Sequence, residues 1–306
     1  MVVLMDNMID IILEKHKNLF GNNPVVNRNK SGFTNTIYEV NDSFIIKICT
    51  KEDNEKNFLK EIEFYEHNKD NDLIPRFYYA DTDKDDIPYY YEVIKKIKGA
   101  SLYYVWHLFS EGEREDIIKQ LCTAMKRFHN IKGDNYNWVE YNKKRFNDIY
   151  SKIKELKIFN EKEDKDIMEA YNCFDEYLVS DENVLVHNDL HFDNIFYNEG
   201  KIRLIDFERS LYAPKDFELD ILYRMVRKPW KFANEECELF TNKEDYANII
   251  NYVSKYYPEI TNTPNLDKRL AIYDMIYFMN QLIEYPYLEE LKEDVLEAVK
   301  QIIKKD

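Results

Sequence analysis

The sequence predicts an α+β fold in which a small antiparallel-sheet lobe precedes a larger, mainly helical lobe. The chain has 306 residues, enough for two lobes with a substantial core. Short β-branched and aromatic runs separated by turn residues fill the N-terminal third, whereas helical spacing of apolar residues dominates the remainder. The predicted boundaries are residues 1–93 for the N-terminal lobe, 94–99 for a connector and 100–306 for the helical lobe.

The predicted elements of the N-terminal lobe follow one another without a long linker. Residues 4–19 space their apolar side chains as one face of a helix does. Residues 25–49 contain three short strands separated by turns, which indicates an antiparallel meander. A charged helix is expected at 53–68, followed by strands at 77–83 and 88–97.

The larger lobe is predicted to be helical except for one island of short strands. Helices are expected at about 112–131, 143–157 and 161–180, and as a set from 216 to 305. The predicted strands of the island are 184–189, 194–198 and 201–207.

Composition and charge limit the classes of function. The chain is 44% hydrophobic and 33% charged with a formal net charge of −15, which is typical of a soluble globular protein. An excess of negative charge argues against binding to a nucleic-acid backbone. No apolar run is long enough to span a membrane, so we expect a cytoplasmic protein. The cysteines form no CxxC pair and predict neither a zinc site nor disulfides. They are Cys49, Cys122, Cys173 and Cys237.

The most informative segment is LVHNDLHFDNIFYNEGKIRLIDFE at residues 185–208. Asp189 follows an apolar strand, Asn194 comes five residues later, and Asp206 ends the next apolar strand. Phosphoryl transfer requires a carboxylate to orient the attacking hydroxyl, together with oxygen ligands that hold Mg²⁺ against the phosphates. Mg²⁺ prefers hard oxygen ligands of this kind. The segment therefore predicts a kinase active site.

This segment resembles the catalytic loop and metal-binding strand of the aminoglycoside phosphotransferase and choline kinase superfamily, small-molecule kinases with a protein-kinase-like fold. Further motifs occur in the expected order. They are SGFTNTIYEV (31–40), FIIKI (44–48), FLKEIEFY (58–65), EVIKKIKG (92–99) and MKRFHNI (125–131). The resemblance weakens after about residue 225.

The resemblance implies a role for each residue of the catalytic set. Lys47 would contact the α- and β-phosphates and Glu61 would hold it by an ion pair, with Glu63 as the alternative partner. Asp189 would be the catalytic base. Asn194 and Asp206 would bind Mg²⁺, whereas His187 and Asp220 would support the catalytic loop.

The resemblance also implies a nucleotide site that accepts ATP or GTP. The connector would bind the nucleobase through its backbone, which leaves the choice between the two nucleotides open. The residues predicted to bind nucleotide, besides Lys47 and Glu61, are Ser31, Gly32, Ile46, Ile94, Lys95, Ile97 and Ile205.

Two departures from the protein kinases favour a small acceptor. Only thirteen residues separate Asp206 from Asp220, which leaves no room for an activation segment that docks peptides. Asn188 stands where regulated protein kinases have an arginine. A third departure, which does not bear on the acceptor, is Glu208 in place of the glycine of the protein-kinase DFG motif. Its side chain is expected to point to solvent.

The preferred acceptor is a small, cationic, hydroxyl-bearing molecule, above all an aminoglycoside antibiotic. Carboxylates and aromatic rings of the C-terminal helices would attract its ammonium groups. The predicted acceptor residues are Glu218, Glu235, Glu236, Asp274, Glu284 and Tyr285. A metabolic kinase for choline, another amino alcohol or a sugar is the alternative, and a non-catalytic nucleotide-binding module is the third possibility. We expect a monomer that binds neither nucleic acid nor membrane.

Overall fold

The computed structural model describes residues 2–29, 35–133, 136–180 and 182–304. The chain divides into two compact units, a smaller one built on antiparallel sheets and a larger one that is mainly helical. The smaller unit comprises Met1–Ser110, His191–Ser210 and Glu235–Leu239. The larger unit comprises Glu111–Leu190, Leu211–Asn234 and Phe240–Asp306.

The elements are numbered in chain order. The described strands are β1 (Val26–Asn29), β2 (Thr36–Val40), β3 (Phe44–Ile48), β4 (Phe77–Asp81), β5 (Tyr91–Lys95), β6 (Ala100–Ser101), β7 (Val184–Val186), β8 (Ile195–Asn198), β9 (Lys201–Leu204) and β10 (Leu211–Ala213). The described α-helices are α1 (Val2–Lys15), α2 (Lys17–Phe20), α3 (Glu55–His67), α4 (Leu102–Val105), α5 (Glu111–His129), α6 (Trp138–Leu156), α7 (Glu161–Asn172), α8 (Phe174–Tyr177), α9 (Leu219–Arg227), α10 (Ile249–Tyr256), α11 (Pro258–Thr261), α12 (Leu266–Glu284) and α13 (Glu289–Ile303).

The smaller unit contains the predicted meander as part of a five-stranded sheet in the order β1-β2-β3-β5-β4. All neighbouring strands are antiparallel. Successive side chains of a strand point to opposite faces of the sheet. One face holds Ile46 and Val93, which share a core with Met8 and Ile12 of α1. Helix α1 therefore packs on the sheet.

The other face of the sheet presents Lys47 and its cross-strand neighbours. Lys47 lies directly opposite Glu92, and Ile45 lies opposite Ile94, in the β3–β5 pairing. Helix α3 covers this face through the Lys47–Glu61 contact. The sheet thus separates an apolar core from the charged groups of the candidate site.

A second sheet brings residues 191–210 into the smaller unit, which the predicted lobe boundary did not anticipate. The β8–β9 hairpin pairs with β6 in the order β6-β8-β9. The amide of Leu204 also donates to the carbonyl of Leu73 at 2.7 Å. These non-local hydrogen bonds make the unit discontinuous in sequence, whereas the prediction divided the chain at a single connector.

The larger unit contains most of the predicted helices and adds a strand. The helix predicted at 161–180 ends at Asn172 and is followed only by the short α8, and residues 228–248 form no α-helix. Helix α6 begins earlier than predicted because the Asn137 side chain accepts hydrogen bonds from the amides of Val139 and Glu140 and so caps it. A reciprocal capping box of Asn160 and Glu163 starts α7. Strand β7 pairs with β10, a three-residue strand absent from the sequence prediction.

Within the described residues, no helix combines the length and apolar character that crossing a membrane requires.

Gly99 allows the connector to approach strand β8. Its φ is +104°, and a Cβ atom there would lie 2.2 Å from the carbonyl oxygen of Tyr197. We expect Gly99→Ala to lower the free energy of unfolding by about 1–3 kcal/mol, because both the backbone and the neighbouring strand would be strained. Urea denaturation measures this change.

The matched control is Gly112→Ala in α5, where an added Cβ meets nothing within 4 Å. This change should be neutral or stabilise the protein by up to about 1 kcal/mol, since alanine favours helix. Equal effects of the two substitutions would contradict the proposed constraint at the connector.

Candidate active site

The centre of the candidate site is the ammonium group of Lys47 on β3. Its Nζ lies 2.5 Å from Glu61 Oε2 on α3 and 3.0 Å from Asp206 Oδ1, just after β9. The Lys47 side chain is only 9% exposed, so its charge needs these partners. The structure thus contains the predicted ion pair with Glu61, whereas the alternative partner Glu63 is exposed.

One ammonium faces more carboxylates than it can neutralise. Burial alone would lower the pKa of Lys47, but Asp206 and Glu61 hold that pKa well above its usual value. Burial raises the pKa of Glu61 to about 7, because the attraction of Lys47 only partly offsets the lost hydration. Three carboxyl groups, those of Glu61, Asp206 and Glu208, lie within 4.0 Å of the single Lys47 ammonium.

Helix α3 fixes the segment that carries Asp206. The second oxygen of Glu61, Oε1, accepts a hydrogen bond from the amide of Phe207 at 3.2 Å. The Phe207 ring stacks on Phe64 with ring centroids 3.9 Å apart. Glu61 thus positions Lys47 with one oxygen and the Asp206 segment with the other.

Glu208 is buried, so the expectation that it points to solvent is wrong. It is 6% exposed and its Oε2 accepts hydrogen bonds from the side-chain amides of Asn35 at 3.1 Å and Asn54 at 3.2 Å. One oxygen each from Glu61, Asp206 and Glu208 lie within 4.8 Å of one another. The local sequence gave no sign of this burial, because the two asparagines are distant in the chain.

Glu92 is a buried carboxyl group that the sequence reasoning missed. It is fully buried opposite Lys47, and neither of its oxygens has a hydrogen-bond partner among the described residues. Burial, followed by the charge of Glu61, raises the pKa of Glu92 well above its usual value. Its surroundings therefore favour the neutral, protonated form of the carboxyl group. An acidic residue inside the otherwise apolar run YEVI was the available signal.

The two predicted metal ligands lie on hydrogen-bonded neighbouring segments. The amide of Ile205 donates to the carbonyl of Asn194 at 3.1 Å, which sets Asn194 beside the residue preceding Asp206. Asp206 has a φ of +66°, a conformation that aspartate tolerates better than most residues. Asn194 is 6% exposed, and the Asp206 side chain is 34% exposed.

In the larger unit, a buried carboxylate fixes the backbone of the predicted catalytic loop. Glu218 accepts hydrogen bonds from the amide of His187 at 2.8 Å and the amide of Asn188 at 3.0 Å. Burial would raise the pKa of Glu218, but its hydrogen bonds with His129 and the His187 amide lower it. Asp189 follows directly, half-buried, after Asn188 with a φ of +62°.

Three predicted roles in the larger unit are wrong. Glu218 braces the loop and is 1% exposed, so it cannot bind an acceptor. Asp220, predicted as the brace, instead pairs with Arg224 at 2.7 Å. Asp274, a predicted acceptor ligand, is buried against Arg224 and Arg227, which lie 3.3 and 2.5 Å away. Its charge is already neutralised.

Ile46 is not a wall of the nucleotide site. It is fully buried in the core beneath α1, on the sheet face opposite Lys47. Ile45 and Ile94 lie on the Lys47 face instead. The alternation of side chains along a strand could have identified Ile45, two residues before the lysine.

The connector offers few free backbone donors. The amide of Lys95 donates to the carbonyl of Arg76, and that of Lys96 donates to the carbonyl of Ser43. The amide of Ile97 has no hydrogen-bond partner in the described parts of the chain. Among the connector residues predicted to bind nucleotide, Ile97 is thus the one whose N–H is available, and Ile205 is half-buried.

The remaining predicted site residues divide into two groups. Ser31 and Gly32 lie outside the described residues. Glu235 and Glu236 of the smaller unit are exposed, as are Glu284 and Tyr285 of the larger unit.

A family model for the "Phosphotransferase enzyme family" matches residues 25–238. The chain belongs to this family. Its match covers the sheet, the connector, and all four predicted residues Lys47, Asp189, Asn194 and Asp206. No curated protein is significantly similar in sequence.

Solved structures of aminoglycoside phosphotransferases share the fold. The ADP-bound APH(2'')-Ib has a TM-score of 0.68 at 18% identity, over 96% of this chain and 99% of that one. The streptomycin–ATP–APH(2'')-IIa ternary complex has a TM-score of 0.69 at 18% identity, covering 96% and 98%. The GDP complex of aminoglycoside 2'-phosphotransferase-IIIa has a TM-score of 0.65 at 15% identity, covering 97% of each chain. The predicted protein-kinase-like fold class is thereby confirmed.

Replacing Glu92 tests whether it is a neutral, unsatisfied acid. We expect Glu92→Met to raise the free energy of unfolding by about 1–3 kcal/mol at neutral pH, because it removes a buried polar group without partners. The raised pKa also sets the pH dependence. Above the ordinary pKa of glutamate, the unfolded state releases a proton that native Glu92 keeps, so wild-type stability falls as pH rises.

The advantage of Glu92→Met should therefore grow from pH 4 to pH 8, as measured by urea denaturation. Glu63→Met, at an exposed position of α3, is the control and should change stability by no more than about 0.5 kcal/mol. A Glu92 variant less stable than wild type at pH 8 would mean that Glu92 is ionised and stabilises Lys47.

Proposed function

We propose that the protein is a Mg²⁺-dependent kinase that transfers the γ-phosphoryl group of ATP or GTP to a hydroxyl of a small cationic molecule. The observation that supports this most directly is the buried contact of Lys47 with both Glu61 and Asp206 in a chain of the phosphotransferase family. In this proposal Lys47 binds the α- and β-phosphates, and Glu61 keeps its ammonium in place.

The donor set fits Mg²⁺. Asp206 and Asn194 offer hard oxygen ligands, and Glu208 adds a carboxylate oxygen close to that of Asp206. Three carboxyl groups surround the single ammonium of Lys47, so a divalent cation would be attracted. When bound, Mg²⁺ would offset the charge of the phosphates.

Asp189 is proposed to orient the acceptor hydroxyl and accept its proton. The hydroxyl oxygen forms a bond to the γ-phosphorus, and the bond from that phosphorus to the β-phosphate oxygen breaks, which releases the nucleoside diphosphate. Glu218 supports this role indirectly, because it holds the two backbone amides that precede Asp189. The nucleobase would lie against Ile45 and Ile94 and bond to the Ile97 backbone.

An aminoglycoside is the proposed acceptor. The support is the fold shared with aminoglycoside phosphotransferases, one of them in complex with streptomycin and ATP, and the acidic charge of the chain. The exposed Glu235, Glu236, Glu284 and Tyr285 suit ammonium groups. A kinase for choline, another amino alcohol or a sugar is the second candidate, since the catalytic residues fit any hydroxyl acceptor.

Asp189→Asn should reduce turnover by at least about a hundredfold, as expected when a general base is lost. Binding of Mg²⁺–ATP should persist, because the phosphate-binding Lys47 is unchanged. Steady-state kinetics and a thermal shift with nucleotide measure the two effects. Asp175→Asn, at an exposed aspartate of the same unit, should retain full activity. Wild-type turnover in Asp189→Asn would overturn the catalytic assignment.

The acceptor is tested by nucleotide turnover with a panel of aminoglycosides, choline, ethanolamine and sugars, each with ATP and with GTP. Stimulation by aminoglycosides alone would support the preferred acceptor, and mass spectrometry should then detect one added phosphoryl group. Stimulation only by an amino alcohol or a sugar would favour the second candidate. Absence of turnover with every acceptor, despite nucleotide binding, would support a non-catalytic module.

A further inference from the structure

A basic cleft lies within the smaller unit. Three chain segments surround a cavity of about 660 Å³, which is within the usual size of ligand sites. They are the loop after α3 (69–76), residues 95–98 of the connector, and the turn of the β8–β9 hairpin (198–203). Seven of the lining side chains are cationic and three are acidic, in a chain whose net charge is −15.

The cationic side chains of the cleft differ in the contacts that they make with the rest of the protein. Lys96 forms ion pairs with Glu39 and Asp42 at 2.7 and 2.5 Å, and Arg76 lies over the Tyr78 ring at 5.3 Å. The guanidinium of Arg203 donates to a backbone carbonyl, and the ammonium of Lys69 lies over the Phe77 ring at 5.5 Å. These four side chains are thus already held in place by the protein.

Three further cations have no such anchor. Among the described residues, no carboxylate oxygen lies within 4.0 Å of the ammonium of Lys95, Lys98 or Lys201. All three are exposed, and they come from two of the three segments. In so acidic a chain, several unpaired ammonium groups around one cavity create a local positive potential that attracts anions.

The backbone around the cleft is held by hydrogen bonds. The Lys95 amide bonds the carbonyl of Arg76 at 2.8 Å, and the Leu204 amide bonds that of Leu73 at 2.7 Å. Gly99 brings the connector against β8. The cations are therefore presented from a fixed frame, which lowers the entropic cost of binding a ligand.

None of the residues Lys47, Asp189, Asn194 and Asp206 lines the cleft, whereas Ile97 of the connector does. Lys95 follows Ile94 on β5, so its side chain points to the sheet face opposite Ile94 and Lys47. An anion held by Lys95 would therefore lie on the sheet face opposite the Lys47 ammonium.

We propose that this cleft binds a small anion that carries several closely spaced phosphate groups. Lysine and arginine are the side chains that bind phosphate oxygens, and a ligand with several phosphates can engage cations from separate segments at once. The ligand would bind independently of the phosphoryl donor at Lys47.

The test is calorimetric titration of the full-length protein with inorganic tripolyphosphate, without Mg²⁺ and at low ionic strength. Wild type should bind tripolyphosphate at one cleft site, and Lys98→Glu/Lys201→Glu should bind it at least roughly tenfold more weakly. Lys162→Glu/Lys165→Glu changes the net charge equally at two exposed lysines of α7 and should bind like wild type. Lys47→Met should retain the binding.

Three results would overturn the proposal. They are unchanged affinity in the cleft variant, an equal loss in the α7 control, and loss of binding in Lys47→Met, which would assign tripolyphosphate to the donor site. Lys98→Gln/Lys201→Gln repeats the test without charge reversal, and a cooperative thermal transition verifies that each variant is folded. Sodium sulfate at matched ionic strength should not reproduce the heat, and equal heat from sulfate would also contradict the proposal.

Discussion

The buried ammonium of Lys47 is the charge around which the smaller unit is organised. Glu61 and Asp206 contact it, Glu208 lies 3.8 Å away, and Glu92 is its cross-strand neighbour. Without this cation the ionised carboxylates would repel one another in a poorly hydrated space, at a cost of several kcal/mol. With it, one helix, two strands and the segment after β9 are held around a single point, where carboxyl groups outnumber the one ammonium.

Each unit uses a buried glutamate in the same manner. Glu61 accepts from the amide of Phe207, next to Asp206, and Glu218 accepts from the amides of His187 and Asn188, just before Asp189. Asp206 and Asn188 both adopt positive φ values, which residues other than glycine rarely do. A carboxylate that binds backbone N–H groups can hold such a conformation because charge-assisted hydrogen bonds are about twice as strong as neutral ones.

The elements that the sequence predicted well are those with local signals. The meander, helix α3 and the helices of the larger unit have periodicities of two or 3.6 residues, and these reflect burial of one face. Strand β10 and the membership of residues 191–210 in the smaller unit were not predicted. Both depend on hydrogen bonds between distant segments, such as the pairing of β6 with β8. Strands of two or three residues are too short to show a periodic pattern in the sequence.

The sequence by itself determined which chemical groups are present and in what order, including the spacing of Asp189, Asn194 and Asp206. The pair of Lys47 with Glu61 was implied by the family resemblance. The alternation of side chains along β3 was also visible in the sequence. The prediction nevertheless chose Ile46 as a wall of the nucleotide site, whereas Ile45 is the residue on the Lys47 face. Only the tertiary structure decided the environment of the acidic residues. Glu218 and Asp220 are two residues apart on a helical stretch, so their side chains point to roughly opposite sides of it, and packing alone selects which one meets the loop. Glu208 and Glu92 are buried for the same reason, since burial depends on neighbours that lie far away in the chain.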